Sequence, residues 1–363
     1  MLTRFSVKNY RGFKDKVTWD LSHPNNYSFN EYAVKDGIVK DAIIWGVNGA
    51  GKSNFSLAIF DLVTHLTQKS QRRAYFDNYI YADDPEGRAE FEYSFRIDGY
   101  DIDYCYTKDG KGALRTEKMS VNGKEVFSSN ALALTICDEF QIDKKVMQQW
   151  ANNDNGASVV NYLLASQPLS GKHYLIRLKK FVKGMLWYQN LDERDYMGLD
   201  SGRTILEEYI IANGLVKELQ QFLLDVSGQN FTFAEHAPEE KKLMVLIEDR
   251  KMPFLKICST GTRGVLLLFY WWTRLDEASL LVIDEFDAFY HFMLSFNVCK
   301  KLFEKNIQVF LTSHNTYLLT NDLLRPDCNF ILRDGSIKPL SAMTDKELRQ
   351  GHNMEKLFRG GAF

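Results

Sequence analysis

Residues 46–53 of the 363-residue chain read Gly-Val-Asn-Gly-Ala-Gly-Lys-Ser and match the phosphate-loop pattern G-x-x-x-x-G-K-[S/T] at every fixed position. Glycines let the backbone wrap closely around phosphates, so that successive N–H groups point inward. Lys52 is expected to reach the β- and γ-phosphates of ATP, and the Ser53 hydroxyl to ligate Mg²⁺. The residues predicted to bind the nucleotide are Gly46, Asn48, Gly49, Gly51, Lys52, Ser53 and Asn54.

The flanks of this loop support a phosphate site. Residues 42–45, Ala-Ile-Ile-Trp, are apolar and predict a buried strand, whereas apolar residues recur at helical spacing over residues 54–66. A glycine loop between a strand and a helix is the context that phosphate binding requires, and the helix N-terminus adds the positive end of its dipole. A glycine turn without nucleotide is the alternative, which these flanks disfavour.

A second chemical motif lies at residues 280–285, Leu-Leu-Val-Ile-Asp-Glu, where four apolar residues precede two acids. This is the Walker B pattern, in which a buried strand presents Asp284 at its carboxyl end to hold Mg²⁺ through water. Glu285 is then placed to polarise an attacking water, because a carboxylate beside a metal-bound triphosphate suits general-base work. The alternative is a strand that ends in solvated acids.

Two further segments could contact phosphate. Residues 259–264, Ser-Thr-Gly-Thr-Arg-Gly, form a small-residue loop before the apolar residues 265–272 and predict an anion site at a helix N-terminus. Residues 309–314 predict a strand that ends in His314, which could donate to the γ-phosphate or orient it. Lys52, Glu285 and His314 are therefore the candidate catalytic residues.

The remaining pattern predicts an α/β fold. Residues 89–121 alternate with period two around strong turn signals and predict an antiparallel β meander, while residues 280–311 read as a βαβ unit of a parallel sheet. We expect an N-terminal ATPase lobe over residues 1–126, a mainly helical insertion over residues 127–240 and a C-terminal ATPase lobe over residues 241–363.

Composition narrows the class of protein. Lys and Arg total 45 against 47 for Asp and Glu. The net charge of −2 therefore gives no overall positive charge that would favour binding to nucleic acid. The five cysteines are scattered without metal-ligand spacing, and no apolar run is long enough to span a bilayer. We expect a cytoplasmic protein without a membrane partner.

The order of these motifs resembles the ATPase heads of the ABC superfamily, specifically the branch that contains SMC, RecF and OLD proteins. The resemblance implies an ABC-type head with ATP and Mg²⁺ as cofactors. It also implies that Ser259 and Gly261 form the signature motif, which binds the γ-phosphate held by a second subunit. His314 would be the switch residue and Asp287 the D-loop residue. The reading Ser-Thr-Gly-Thr-Arg departs from the transporter signature and argues against a transporter subunit.

A closer resemblance is to the short, stand-alone AAA-type ATPases of bacterial anti-phage and abortive-infection systems. It rests on residues 284–291, Asp-Glu-Phe-Asp-Ala-Phe-Tyr-His, and on residues 323–327 and 355–361. It covers about residues 1–126 and 240–363. Neither Gln68 nor Gln71 convincingly supplies the metal-sensing glutamine of that family, because both lie in polar, loop-like sequence.

These patterns predict an ATP-hydrolysing protein that dimerises, or forms a higher homo-oligomer, around sandwiched ATP and gates a separate effector. Short acidic patterns at residues 101–103 and 248–251 read as surface charge, so we expect the effector, a nuclease or toxin, to be another protein. A RecF- or SMC-like DNA-binding or repair ATPase is the alternative, and a scaffold that scarcely hydrolyses ATP is a third. The basic helix with Arg177, Lys179, Lys180 and Lys183 reads better as a solvated face than as a DNA contact.

Overall fold

The computed structural model describes residues 1–67, 73–130, 132–150, 156–189, 196–199, 205–237, 239–248 and 250–363. The strands within these ranges are β1 (Leu2–Lys8), β2 (Val17–Asp20), β3 (Val34–Lys35), β4 (Ile38–Val39), β5 (Asp41–Trp45), β6 (Ala89–Ile97), β7 (Tyr100–Lys108), β8 (Leu114–Val121), β9 (Lys124–Ser129), β10 (Leu134–Ile136), β11 (Met185–Gln189), β12 (Tyr196–Gly198), β13 (Met244–Ile247), β14 (Arg250–Pro253), β15 (Leu280–Asp284), β16 (Gln308–Ser313), β17 (Asn329–Arg333) and β18 (Ser336–Pro339). The α-helices are α1 (Lys52–Ile59), α2 (Asp61–Leu66), α3 (Lys144–Trp150), α4 (Val159–Ser166), α5 (Tyr174–Lys183), α6 (Leu206–Ala212), α7 (Val216–Ser227), α8 (Phe254–Ile257), α9 (Thr260–Trp272), α10 (Phe292–Phe303) and α11 (Met354–Arg359).

The central sheet has the strand order β12-β11-β15-β16-β5-β17-β18. Its five inner strands run parallel, and β12 and β18 pair antiparallel at the two edges. Every residue of β5, β15 and β16 is buried, as is typical of the central strands of a parallel sheet that is covered on both faces. This arrangement confirms the predicted α/β fold and the βαβ unit formed by β15, α10 and β16.

A second sheet has the strand order β10-β9-β8-β7-β6-β1-β2, and every pair in it is antiparallel. It is the predicted meander, extended by the N-terminal strands. Asp98 and Gly99 connect β6 to β7 with φ values of 49° and 84°. Two successive positive φ values are typical of the type I′ hairpin turn, whose twist matches that of the flanking strands.

Aromatic packing and one glutamine join the two sheets. The buried ring of Trp19 on β2 lies 4.6 Å from Phe310 on β16 and 5.8 Å from Phe55 on α1. The buried Gln308 side chain accepts from the Leu2 amide at 2.6 Å and donates to the Leu2 carbonyl at 2.9 Å. The start of β1 is thereby held against the start of β16.

The middle of the chain differs from the predicted helical insertion. Its helices are present as α3 to α7, but β10, β11 and β12 also lie there, and β11 pairs directly with β15 in the central sheet. The indole N–H of Trp187 on β11 donates to the Ser56 hydroxyl on α1 at 3.0 Å. An apolar run as short as residues 185–188 cannot be distinguished from part of a helix by periodicity alone. The segment boundaries at residues 126 and 240 stay predictions.

A buried ion pair links the helices after the phosphate loop to the meander. Asp61 of α2 and Lys108 of β7 meet at 2.6 Å, and their side chains are 0% and 1% exposed. The hydroxyls of Tyr79 and Tyr106 donate to the same carboxylate at 2.6 and 2.8 Å, and that of Tyr75 donates at 3.2 Å. Because desolvating a charge is costly, the carboxylate depends on this complete set of partners.

Within the described ranges, every helix is too short or too polar to cross a lipid bilayer.

We predict that Lys108→Met lowers the free energy of unfolding by about 3–5 kcal/mol, because it leaves the Asp61 charge buried without its cation. The matched control is Lys8→Met, which removes an ammonium from an exposed pair with Glu90 and should cost less than about 1 kcal/mol. Urea denaturation followed by circular dichroism measures both. Equal losses in the two variants would contradict a stabilising role for the buried pair.

Candidate functional site

The phosphate loop connects the end of β5 to the start of α1. Gly49 and Gly51 have φ values of 80° and 95°, which favour glycine over residues that carry a Cβ atom. A Cβ atom at Gly51 would lie 3.0 Å from the ring of Phe13, and one at Gly46 would lie 2.8 Å from the Leu332 carbonyl oxygen. The loop therefore needs glycine both for its backbone conformation and for its close packing.

Lys52 is the first residue of α1, and its side chain turns back into the loop. The Nζ atom donates to the carbonyl oxygens of Gly46 at 2.8 Å and Val47 at 3.3 Å. Burial lowers the pKa of Lys52, while the nearby charges of Asp284 and Glu285 oppose that shift. An ammonium held inside the loop can exchange neutral carbonyl acceptors for anionic phosphate oxygens, which bind it more strongly.

Asp284 ends β15 beside this loop and is fully buried. Thr312 Oγ1 donates to its Oδ1 atom at 2.7 Å, and Gln189 Nε2 donates to its Oδ2 atom at 3.4 Å. Burial raises the pKa of Asp284, and hydrogen bonds from Ser53 and Thr312 oppose that rise. The structure thus brings the Ser53 hydroxyl to the Asp284 carboxylate, which is the pair predicted to hold the metal.

The donor set suits a hard cation. Ser53 and Asp284 offer oxygen atoms, and Gln189 can add an amide oxygen if its side chain turns over. Among the described residues, no group of three or more His, Cys, Asp or Glu side chains could hold a metal ion. Mg²⁺ in nucleotide sites is commonly held by one or two carboxylates together with substrate phosphates, so this sparse set fits it.

Glu285 follows Asp284 in a left-handed backbone conformation, with φ of 48°. Its amide donates to Thr312 Oγ1 at 2.8 Å instead of continuing the ladder between β15 and β16. Non-glycine residues adopt such conformations at a cost and persist there where surrounding contacts hold them, often at functional sites. The turn places the half-buried Glu285 directly beside the buried Asp284.

His314 follows β16, which lies between β15 and the loop strand β5. Its side chain is exposed at the same edge of the sheet. The preceding Ser313 donates to Asp287 Oδ2 at 2.8 Å, and burial raises the pKa of Asp287. Parallel strands thus carry Lys52, Ser53, Asp284, Glu285 and His314 to one end of the sheet.

The two predicted signature residues lie at the start of another element. Ser259 caps α9 by accepting from the Thr262 amide at 3.1 Å, and the side chains of Ser259 and Thr260 are exposed. A Cβ atom at Gly261 would lie 2.9 Å from the Phe289 carbonyl oxygen. Throughout the described part of the chain, no hydrogen bond joins Ser259 or Gly261 to the phosphate loop.

Two residues at the site were missed in the sequence. Arg11 donates to the side chain of Asn54 at 3.2 Å and to the Tyr75 carbonyl at 2.8 Å, so its guanidinium lies beside the phosphate loop. Gln189 ends β11 after four buried apolar residues, as Asp284 ends β15, and this parallel pattern was the available signal. Gln68 and Gln71 lie outside the described residues.

We predict that Gly51→Ala weakens ATP binding at least about ten-fold, because the new methyl group adds strain to a left-handed residue and presses on Phe13. Gly123→Ala is the matched control, since Gly123 also has a positive φ but no atom would crowd its Cβ. Titration with a fluorescent ATP analogue measures both affinities. Unchanged affinity in Gly51→Ala would show that the loop tolerates displacement.

Comparison with known proteins gives one family match. Residues 145–320 match a protein family described as "AAA domain, putative AbiEii toxin, Type IV TA system". This span contains β11, the α9 loop, Asp284, Glu285 and His314. No curated protein sequence matches the chain.

Several solved structures are similar in their overall course. The SMC head domain from Thermotoga maritima is 14% identical, with 93% of this chain and 98% of that chain covered and a TM-score of 0.44. The recombination mediator protein RecF with ATP is 16% identical, with 94% and 99% covered and a TM-score of 0.41. The Pyrococcus furiosus Smc head domain bound to the C-terminal domain of ScpA is 13% identical, with 93% and 95% covered and a TM-score of 0.43.

The family match confirms the resemblance that the motifs indicated. The chain has an α/β fold in which a phosphate loop joins β5 to α1, and residues 145–320 are similar to the AAA domains of the family described as putative AbiEii toxins.

Proposed function

We propose that this protein binds ATP with Mg²⁺ and hydrolyses it at a site completed by a second copy of the chain. The observation that carries the proposal is the convergence of Lys52, Ser53, Asp284 and Glu285 at one end of the parallel sheet. An ammonium, a hydroxyl and two carboxylates at that edge are the groups that phosphoryl transfer to water requires.

Each side chain then has a distinct task. The backbone amides of residues 46–51 and the Lys52 ammonium bind the β- and γ-phosphates. Ser53 and Asp284 would hold Mg²⁺, which supplies charge neutralisation between those phosphates. Glu285 accepts a proton as a water oxygen attacks the γ-phosphorus, while the bond to the bridging oxygen breaks and ADP leaves. Gln189 positions the Asp284 carboxylate, to which it donates a hydrogen bond. Arg11 positions the phosphate loop through its hydrogen bond to Asn54.

The exposed start of α9 supports a composite site. Among the hydrogen bonds of the described residues, none joins Ser259 or Gly261 to the phosphate loop of the same chain, and Ser259 is exposed to solvent. We propose that they bind the γ-phosphate held by a partner copy, and that His314 contacts the same phosphate. Two chains would then enclose two nucleotides.

Closure of this dimer could drive a switch. To move a two-state equilibrium from 1:99 to 99:1, ligands must favour one state by about 5.5 kcal/mol. Hydrogen bonds to charged groups contribute about 1.5–3 kcal/mol each, so a few at each of two enclosed nucleotides suffice. We propose that closure gates a separate effector, a nuclease or toxin, in bacterial anti-phage defence. The toxin–antitoxin context in the description of the matched family supports this setting.

A DNA-binding role has weaker support. On the basic helix α5, Arg177 pairs with Asp98 at 3.2 Å and Lys179 donates to Asn161 at 2.6 Å, so two of its four cations are engaged within the chain. Lys180 and Lys183 remain exposed.

We also propose a cytoplasmic location, since all five cysteines are free thiols, as a reducing compartment favours.

We predict that Glu285→Gln lowers kcat at least about 100-fold, because the amide cannot accept the proton of the attacking water. ATP binding should persist, so an ATP-bound dimer should accumulate in light scattering with ATP and Mg²⁺. Glu125→Gln, at an exposed position of the meander, is the control and should match the wild type. Hydrolysis by Glu285→Gln at the wild-type rate would overturn the catalytic assignment, and negligible wild-type turnover would favour the scaffold alternative.

A complementation experiment tests the composite site. Lys52→Ala should lose ATP binding, and Ser259→Arg should block the partner's site, so each alone is inactive. A mixture of the two restores one intact site in each mixed dimer, and about a quarter of wild-type activity is expected from random pairing. A mixture as inactive as its components, or full activity of Ser259→Arg by itself, would contradict the composite site.

A further inference from the structure

Thr312 has an unusual position at the candidate site. It lies on β16, fully buried, next to the last rung of the ladder, where Ile283 pairs with Leu311. Its hydroxyl donates to Asp284 Oδ1 at 2.7 Å and accepts from the Glu285 amide at 2.8 Å. One side chain therefore contacts both acidic residues of the Walker B motif.

These contacts orient the Asp284 carboxylate. A threonine hydroxyl has a single proton, and here that proton goes to Oδ1. The Oδ2 atom accepts the longer contact from Gln189 at 3.4 Å, and the Ser53 hydroxyl also hydrogen-bonds to this carboxylate. By binding Oδ1, the Thr312 hydroxyl thus determines which oxygen of the Asp284 carboxylate faces the proposed metal position.

Thr312 also holds the turn at Glu285. Besides the bond to the Glu285 amide, the Thr312 carbonyl accepts from the Phe286 amide at 3.3 Å. The amides of two successive residues therefore bind the same threonine, around a glutamate whose φ is 48°. A left-handed conformation at a non-glycine residue costs on the order of 1–3 kcal/mol, so it needs such contacts to persist.

The neighbouring hydroxyl provides a comparison. Ser313 donates to Asp287 Oδ2 at 2.8 Å and accepts from the Asn315 amide at 3.0 Å. Its hydroxyl holds the chain beyond the turn, and within the described ranges it bonds to neither Asp284 nor Glu285. Thr312 alone joins β16 to the two acids by its side chain among the hydrogen bonds of the described residues.

We infer that Thr312 is the positioning residue for water activation: its hydroxyl holds the backbone turn that sets the direction of the Glu285 carboxylate. This inference rests on the proposed ATPase function and adds a residue to it. Thr312 acts through Glu285 and does not touch the nucleotide. Its loss should therefore reduce kcat much more than nucleotide affinity.

The test compares Thr312→Val, which keeps the shape but removes the hydroxyl, with Thr312→Ser, which keeps the hydroxyl. We expect Thr312→Val to lower kcat about 10- to 100-fold, the effect of leaving buried polar groups without a partner. The dissociation constant for ATP should stay within about threefold, and Thr312→Ser should stay within about threefold of wild-type kcat. Thr107→Val, which removes a hydroxyl bond from the meander, is the matched control and should leave kcat unchanged.

A double-mutant cycle separates positioning from stability. If Thr312 acts through Glu285, adding Thr312→Val to Glu285→Gln should change the residual rate less than about twofold. The same fold loss in both backgrounds, or wild-type kcat in Thr312→Val, would overturn the inference. If Thr312→Val fails to fold, Thr312→Ala takes its place with the same expected split. Absence of hydrolysis by the wild type would instead refute the proposed function, and this inference with it.

Discussion

The parallel alignment of β5, β16 and β15 is the constraint on which the candidate site depends. Parallel strands release their carboxyl ends at the same edge of a sheet, so residues far apart in sequence meet there. β16 lies between the strand that leads to the phosphate loop and the strand that ends in Asp284. Its last residues therefore touch both sides of the site, and Thr312 can bind Asp284 and Glu285 at once.

The buried carboxylate between α2 and the meander has a different set of partners from the buried carboxylate at the candidate site. Asp61 is saturated by Lys108 and by tyrosine hydroxyls, so its charge is stabilised in one fixed geometry. Asp284 accepts hydrogen bonds from Thr312 at 2.7 Å, from Gln189 at 3.4 Å and from Ser53, but no cation is paired with it among the described residues, and burial raises its pKa. A carboxylate that is incompletely compensated gains from a cation, whereas a saturated one does not. The desolvation cost of a buried carboxylate is thus offset by fixed partners at Asp61, whereas at Asp284 it favours the binding of a cation.

The second sheet connects the nucleotide edge to the rest of the chain. Trp19 packs on the central sheet and on α1, and Asp61 of the following helix is held by Lys108 of the meander. Arg11, in the turn after β1, reaches Asn54 directly after the phosphate loop. A change in the position of that loop would therefore alter the contact between Asn54 and Arg11 in the β1–β2 turn of the antiparallel sheet.

Most of the site could be predicted because each motif is local. The glycine loop with Lys52 and Ser53, and the apolar run that ends in Asp284, have backbone requirements that are visible within about ten residues. The meander was predictable for the same reason, since alternation and Asp-Gly turns are short-range signals. Arg11 and Gln189 were missed because their role depends on contacts with Asn54 and Asp284, which lie far away in sequence.

The sequence by itself determined the phosphate loop, the acidic strand end and the α/β class, because spacing and hydrophobic period encode them. Only the tertiary structure decided that β11 belongs to the central sheet, since a short apolar run is equally compatible with a buried helix and a buried strand. It likewise decided that Thr312 lies opposite Asp284, because strand register is set by pairing between segments and by the packing around them. Local pattern therefore specifies which chemical groups are present, and long-range pairing specifies which of them meet.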